Sequence, residues 1–202
     1  MVKDKNTEQR IFEAARIVFQ KKGLAGARMQ EIADEADINK ALLHYYFRTK
    51  EKLFEAIFNE VFDNISSGLE KLFNTEMGVV ERFRFIVEIY IENLLKNRQI
   101  PLFVLNEMNR NPEKIQMLIE QKIVIYLKNF MMQIQQEIHE GKIRNVNPFH
   151  LLMSVLSMTI FPFVAYPIIK GIGEKNMPIN IDTFYMERKK VIIDFIENTL
   201  KP

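Results

Sequence analysis

Four side chains between Lys40 and Tyr45 are of types that can read nucleic acid: a cation (Lys40), a small residue (Ala41), an imidazole (His44) and a phenol (Tyr45). Asn39 is a good N-cap, so Lys40–Phe47 is expected as a short helix. Leu43 and Phe47 lie four apart and bury on one side. Lys40, Ala41, His44 and Tyr45 then face the other way. The major groove of DNA admits a helix, and such side chains reach base edges and phosphates there. The helix must be held by what precedes it. Met29, Ile32, Ala33 and Ala36 fall at i, i+3, i+4, i+7 and form one face of a short helix. Asp37-Ile38-Asn39 interrupts that period as a turn, which gives a helix-turn-helix. Thr49 is expected to cap the next helix, with Lys50 in its first turn.

The rest of the inventory argues against enzyme chemistry. His44, His139 and His150 are isolated, no H-x-x-x-H or Cys/His cluster suggests a metal, and neither G-x-S-x-G nor a phosphate-cradling glycine loop occurs. The Glu137–Glu140 stretch reads as an exposed helix end. No cofactor and no metal are expected. The chain has 202 residues and no cysteine, which excludes a disulfide framework and agrees with a reducing compartment. MVKDKNTEQR lacks the apolar core of a signal peptide, so a cytoplasmic location is expected. Net charge is +2 overall, but residues 1–52 carry 11 Lys/Arg against 8 Asp/Glu. Lys3, Lys5, Arg10, Arg28, Lys40, Arg48, Lys50 and Lys52 bracket the reading segment, an arrangement that suits backbone neutralisation.

The stretch IADEADINKALLHYYFRTKEKLF resembles the signature of TetR-type regulators, roughly I-A-x-x-A-G-V-S-x-x-x-L-Y-x-Y-F-x-x-K-x-x-L. Ile32, Ala33, Ala36, Ile38, Leu43, Tyr46, Phe47, Lys50 and Leu53 match it, and IFEAARIVFQKKG upstream matches the family's first helix and following glycine. The resemblance covers about residues 5–60. It implies a helix-turn-helix at about 27–46 whose DNA-binding residues are Asn39 at the start of the second helix, Lys40, Ala41, Leu42, His44 and Tyr45 toward bases, and Arg28, Tyr46 and Lys50 toward phosphates. Four positions depart from it. Asp37 replaces the turn glycine, a place that often needs φ > 0, which Asp tolerates better than most residues. Ala27-Arg28 replaces a Thr/Ser pair, which weakens the cap of the second helix. His44 stands where the family usually has Tyr.

The remaining elements also read as helices, nine in all, with a head at 4–64 and a helical regulatory and dimerisation domain at 65–202. The first helix runs from about Thr7 to Lys22, closed by Gly23, and the fourth from Lys50 to Phe73. Further helices are expected at Gly78–Asn97, Pro101–Asn109, Pro112–Glu140, from Pro148 (capped by Asn147) to Ala165, and from Asp182 or Thr183 to Leu200, with a Gly/Pro-rich loop over Gly171–Ile179. Leu151–Ile169 carries no charge over 19 residues, which a membrane span or a buried interface helix both explain. The interface is preferred, because in TetR-type proteins the last two helices, here about 148–169 and 182–200, pair across a two-fold axis. A homodimer also presents two reading helices to a palindromic double-stranded operator.

The family implies a small-molecule effector among the central helices. Candidate lining residues are aromatic or Met: Phe85, Tyr90, Phe103, Met108, Met117, Tyr126, Phe130, Met131, Phe161, Phe163 and Tyr166. Each of them also fits a core position. The expectation is an all-α repressor released by an apolar or amphipathic ligand; the alternative is a ligand- or partner-binding module whose head no longer reads DNA.

Overall fold

The computed structural model describes residues 5–96, 98, 100–177 and 180–202. Lys3, and the side chain of Lys5, lie outside the described residues. Every regular element described is a helix: α1 (Lys5–Gly26), α2 (Met29–Glu35), α3 (Lys40–Tyr46), α4 (Lys50–Phe73), α5 (Val79–Lys96), α6 (Ile100–Arg110), α7 (Pro112–Lys122), α8 (Val124–His139), α9 (Pro148–Val164), α10 (Tyr166–Asn176) and α11 (Ile181–Leu200).

Eleven helices replace the expected nine among the described residues, and both additions have local causes. The expected Pro112–Glu140 helix breaks at Ile123 (φ −123°, ψ −36°), within the run Ile123-Val124-Ile125. β-Branched side chains lose rotamer freedom in a helix, so the run is a weak point. Most of the expected Gly171–Ile179 loop is helical, because α10 continues to Asn176. Pro167 is at its start, where proline costs nothing, and each interior glycine costs only about 1 kcal/mol. Gly23 breaks α1 with φ 67°, ψ 172°, and one further turn follows it to Gly26. Asn147 and Asn180 cap α9 and α11 through their side-chain oxygens, which accept from the His150 and Thr183 N–H groups at 3.0 Å.

The chain forms two compact units. The first contains residues up to Ser66 together with Leu102–Lys122, and the second contains Ser67–Pro101 and residues from Ile123 onward. The division differs from a single cut near 64, because α7 and most of α6 join the first unit.

In the first unit, α1 packs on α2 and α2 on α3. Ile11, Ala15, Ile32, Ala33, Leu43, Leu53, Ile57 and Phe58 have no exposed surface. Phe54 and Phe58 stack at 5.1 Å, and Phe103 closes on them at 5.1 and 4.7 Å. Arg16, 6% exposed, pairs with Glu60 at 2.6 Å and ties α1 to α4.

In the second unit, α11 packs on α5 and α9, and α9 also meets α5, α8 and α10. Phe83, Phe130, Phe163, Tyr185, Ile192 and Ile196 fill the centre. Two polar anchors sit at the turn into α5. The buried Arg82 donates to the carbonyls of Leu72 at 2.7 Å and Thr75 at 3.1 Å, where α4 ends and its last carbonyls have no intrahelical partner. Burial lowers its pKa, opposed by nearby Glu137. Glu137 accepts the Val79 N–H at 3.0 Å and so caps α5. No single helix among the described residues is long and apolar enough to cross a membrane; the apolar stretch is divided between α9 and α10, bent by 63°.

Candidate nucleic-acid interface

Two seven-residue helices carry the site. Isolated helices shorter than about 12–15 residues do not persist in water, so α2 and α3 depend on their caps and inner faces. Asn39 is extended (φ −75°, ψ 151°), and its Oδ1 accepts the Leu42 N–H at 2.7 Å, as its position required. Leu43, Tyr46 and Phe47 point inward, with Phe47 against Phe12 at 5.5 Å. Thr49 Oγ1 accepts the Lys52 N–H at 3.2 Å and starts α4.

The turn is fixed from outside. Asp37 has φ 51°, the left-handed conformation expected where the family has glycine. Arg10 from α1 donates to the Ala36 carbonyl at 2.7 Å and the Asp37 carbonyl at 3.0 Å, with the Asp37 carboxylate 3.6 Å away. Arg10 is therefore an anchor of the turn. No local spacing announces this, because its partners are 26 and 27 residues away in sequence.

Lys40, Ala41, His44 and Tyr45 are exposed on one side of α3, and Leu42 is half-buried. Tyr45 is 48% exposed and stands edge-on to Tyr46 at 5.7 Å. His44 Nδ1 is 3.1 Å from the Arg48 carbonyl. A carbonyl only accepts, so Nδ1 carries the proton.

The residues assigned to phosphates are placed differently from one another. Arg28 is exposed at the N-cap of α2, and its side chain makes no cap bond. Its N–H is satisfied by Glu31 at 3.4 Å. Lys22 bonds the same carboxylate at 2.8 Å and, above all other causes, holds it below the usual glutamate range. The ring of Tyr46 is buried, 8% exposed. Lys50 donates to the carbonyls of Ala25 at 2.9 Å and Ala27 at 3.2 Å, which leaves one of its three donors for an outside group.

The aromatic and Met residues expected to line one effector pocket are distributed through both units. Phe103, Met108 and Met117 belong to the first, where Phe103 is core and the two methionines are 44% and 56% exposed. In the second, Phe130 packs on Phe83 at 4.7 Å, Tyr126 on Phe73 at 5.8 Å, Phe163 on Tyr185 at 4.7 Å and Tyr166 on Tyr185 at 5.9 Å. Met131 is half-buried against the core, whereas Phe85 and Phe161 are exposed. Tyr90 is half-buried, and the packing around its hydroxyl pushes the pKa up to about 12. No group of three His, Asp or Glu residues among the described residues could hold a metal.

The first unit thus carries a capped helix-turn-helix with an exposed polar face, and the second unit is helical among the described residues. Residues 11–57 match the model for bacterial regulatory proteins of the tetR family. Relatives and solved structures are similar to the chain as well. It is 24% identical over 164 residues to the probable HTH-type transcriptional regulator YttP of Bacillus subtilis, covering 79% of this chain and 78% of that one. It is 47% identical over 51 residues to the HTH-type transcriptional repressor SCO4008 of Streptomyces coelicolor, covering 25% and 27% of the two chains. The fold is similar to that of the transcriptional regulator FadR from Bacillus subtilis in complex with stearoyl-CoA, with TM-score 0.65 and 14% identity over 93% of this chain and 96% of that one.

Proposed function

We propose that the chain is a sequence-specific DNA-binding transcriptional regulator, a homodimeric repressor released from a palindromic operator by a small apolar or amphipathic ligand. One observation carries the DNA-binding part: α3 is locked on its inner face and capped at its start, while Lys40, Ala41, His44 and Tyr45 are exposed together on its outer face. These four would meet base edges. Exposed Arg28, Arg48 and Lys52, with the remaining donor of Lys50, would meet phosphates.

The dimer is assigned to α9 and α11. Phe149, Met153 and Phe161 on α9 are 60%, 42% and 65% exposed, and Val191 and Phe195 on α11 are 52% and 47% exposed. Large apolar side chains in such a group mark an interaction surface, and a two-fold pair of such faces would hold two reading helices for a palindrome. Repression and a lipid-like effector rest on what the relatives are named as doing and binding.

The test is selection from a random DNA pool by the full chain at several salt concentrations. The expected result is one enriched palindrome. Tyr45→Ala then changes the preferred sequence, whereas Arg28→Ala weakens binding to all sequences and lowers the salt slope by about one. Weak binding without sequence preference, lost by physiological salt, overturns the reading and leaves a ligand- or partner-binding module.

A further inference from the structure

We propose that the first unit contains a site for a compact zwitterion, a ligand with an ammonium group and a carboxylate a few bonds apart, in the cleft between the end of α1 and α6. Glu107 is the reason to look there. It is 3% exposed and lines a cleft of about 190 Å³. Glutamate is almost never this buried unless paired, and a carboxylate offers about four acceptor positions. Among the described residues its carboxylate receives one hydrogen bond, from Asn111 Nδ2 at 2.5 Å, and it has no ion-pair partner.

Arg110 lies one turn further along α6 and lines the same cleft with Lys21. Its guanidinium makes no hydrogen bond or ion pair among the described residues. It rests instead against Gly23, in the space a Cβ would need, and Gly23 itself has φ 67°. The cleft therefore combines a buried anion with a cationic rim. A simple anion would be repelled by Glu107, and a simple cation by Arg110 and Lys21. A species with both charges satisfies both. The Phe54 and Phe103 rings, 5.1 Å apart, line the cleft and suit an ammonium group. Size narrows the class further. At about 190 Å³ the cleft is well below the roughly 300–1,000 Å³ of pockets for larger ligands. Short α- or ω-amino acids fit this limit, and acyl chains do not.

The position gives such a ligand a lever. Gly23 breaks α1, Lys50 holds the following Ala25 and Ala27 carbonyls, and Arg28 occupies the N-cap position of α2 directly afterwards. A carboxylate that draws Arg110 away from Gly23 acts on the lead into the reading motif. That consequence rests on the proposed DNA-binding function; binding of the zwitterion does not.

The experiment is a titration of the full-length protein followed by amide NMR, with γ-aminobutyrate and β-alanine as probes and methylammonium and acetate as half-ligand controls. Saturable shifts at Gly23, Leu24 and Asn106 in the millimolar range are expected from a zwitterion. Each half-ligand is expected to bind at least tenfold more weakly, and Glu107→Gln and Arg110→Gln to weaken zwitterion binding at least tenfold. Arg110 is exposed, so its variant reports even if Glu107→Gln fails to fold. The proposal is overturned if neither zwitterion gives saturable shifts, or if Arg110→Gln binds as the parent does. A positive titration with no operator found in the DNA selection removes only the DNA-binding reading.

Discussion

The two units hold their helices by different means. In the first, the reading helices are seven residues long and depend on single polar contacts: Asn39 at the start of α3, Arg10 on the turn and Lys50 on the end of α1. In the second, helices of up to 20 residues meet through broad apolar faces. The difference follows from what each must do. A reading helix leaves one face to solvent and has little area to bury, so its position must come from directed bonds. A helix in the second unit can be placed by area alone, at about 25 cal/mol per Å² of apolar surface removed from water. Arg82 and Glu137 qualify the contrast, because they bring directed bonds to one turn of the second unit.

Truncation in the apolar core tests the contrast with the largest expected effect. Phe130 is 2% exposed and packs against Phe83 and Phe73. Phe130→Ala should lower stability by about 3–5 kcal/mol, the usual cost of removing a buried aromatic ring. Chemical denaturation would measure it. Helices held by area should tolerate Phe130→Leu, which keeps much of the apolar surface but not the ring shape, far better. If the two variants cost the same, the second unit also depends on specific geometry, and the contrast with the first is broken.

The same difference decides what was legible in the sequence. The helix-turn-helix was readable because its constraints are local: a cap at Asn39, an apolar pair at Leu43 and Phe47, and a left-handed position at Asp37 all fall within a few residues of one another. The boundaries of α4 and α9 were readable for the same reason, through Thr49 and Asn147. What escaped depended on distance along the chain. Apolar periodicity says that Phe103 is buried, and only the fold shows that it lies on Phe54 and Phe58 in the first unit. Glu107 looks like any helical glutamate until its burial is known. The break at Ile123 lay within the range of local reasoning, in a β-branched run that the apolar period masks.

Arg10→Met is the second test. It preserves much of the apolar stem and removes the bonds to the Ala36 and Asp37 carbonyls. Hydrogen bonds from charged donors contribute about 1.5–3 kcal/mol each where buried. These two are partly exposed, so a total loss of about 1–2 kcal/mol is expected. The sharper readout is amide exchange. Protection should fall across Ala36–Leu43 and remain unchanged at Phe83 and Phe130. A uniform fall through the whole chain would mean that Arg10 contributes to general stability and not to the position of the reading motif.

Asp37→Gly isolates the smallest contribution. With φ at 51°, Asp37 occupies a conformation that costs most L-residues about 1–2 kcal/mol, and Asp somewhat less. Glycine removes that cost but loses more backbone entropy on folding, by roughly 0.5–1 kcal/mol. It also removes the carboxylate 3.6 Å from Arg10, an exposed pair that contributes little. The terms nearly cancel, and a change within about 0.5 kcal/mol is expected, in contrast to Arg10→Met. Asp37→Val separates them, since a β-branched residue cannot take this φ without strain and should cost more than 1 kcal/mol. If Asp37→Gly costs as much as Arg10→Met, the carboxylate and not the carbonyls is what Arg10 holds. The turn would then depend on charge, and its stability should fall with added salt.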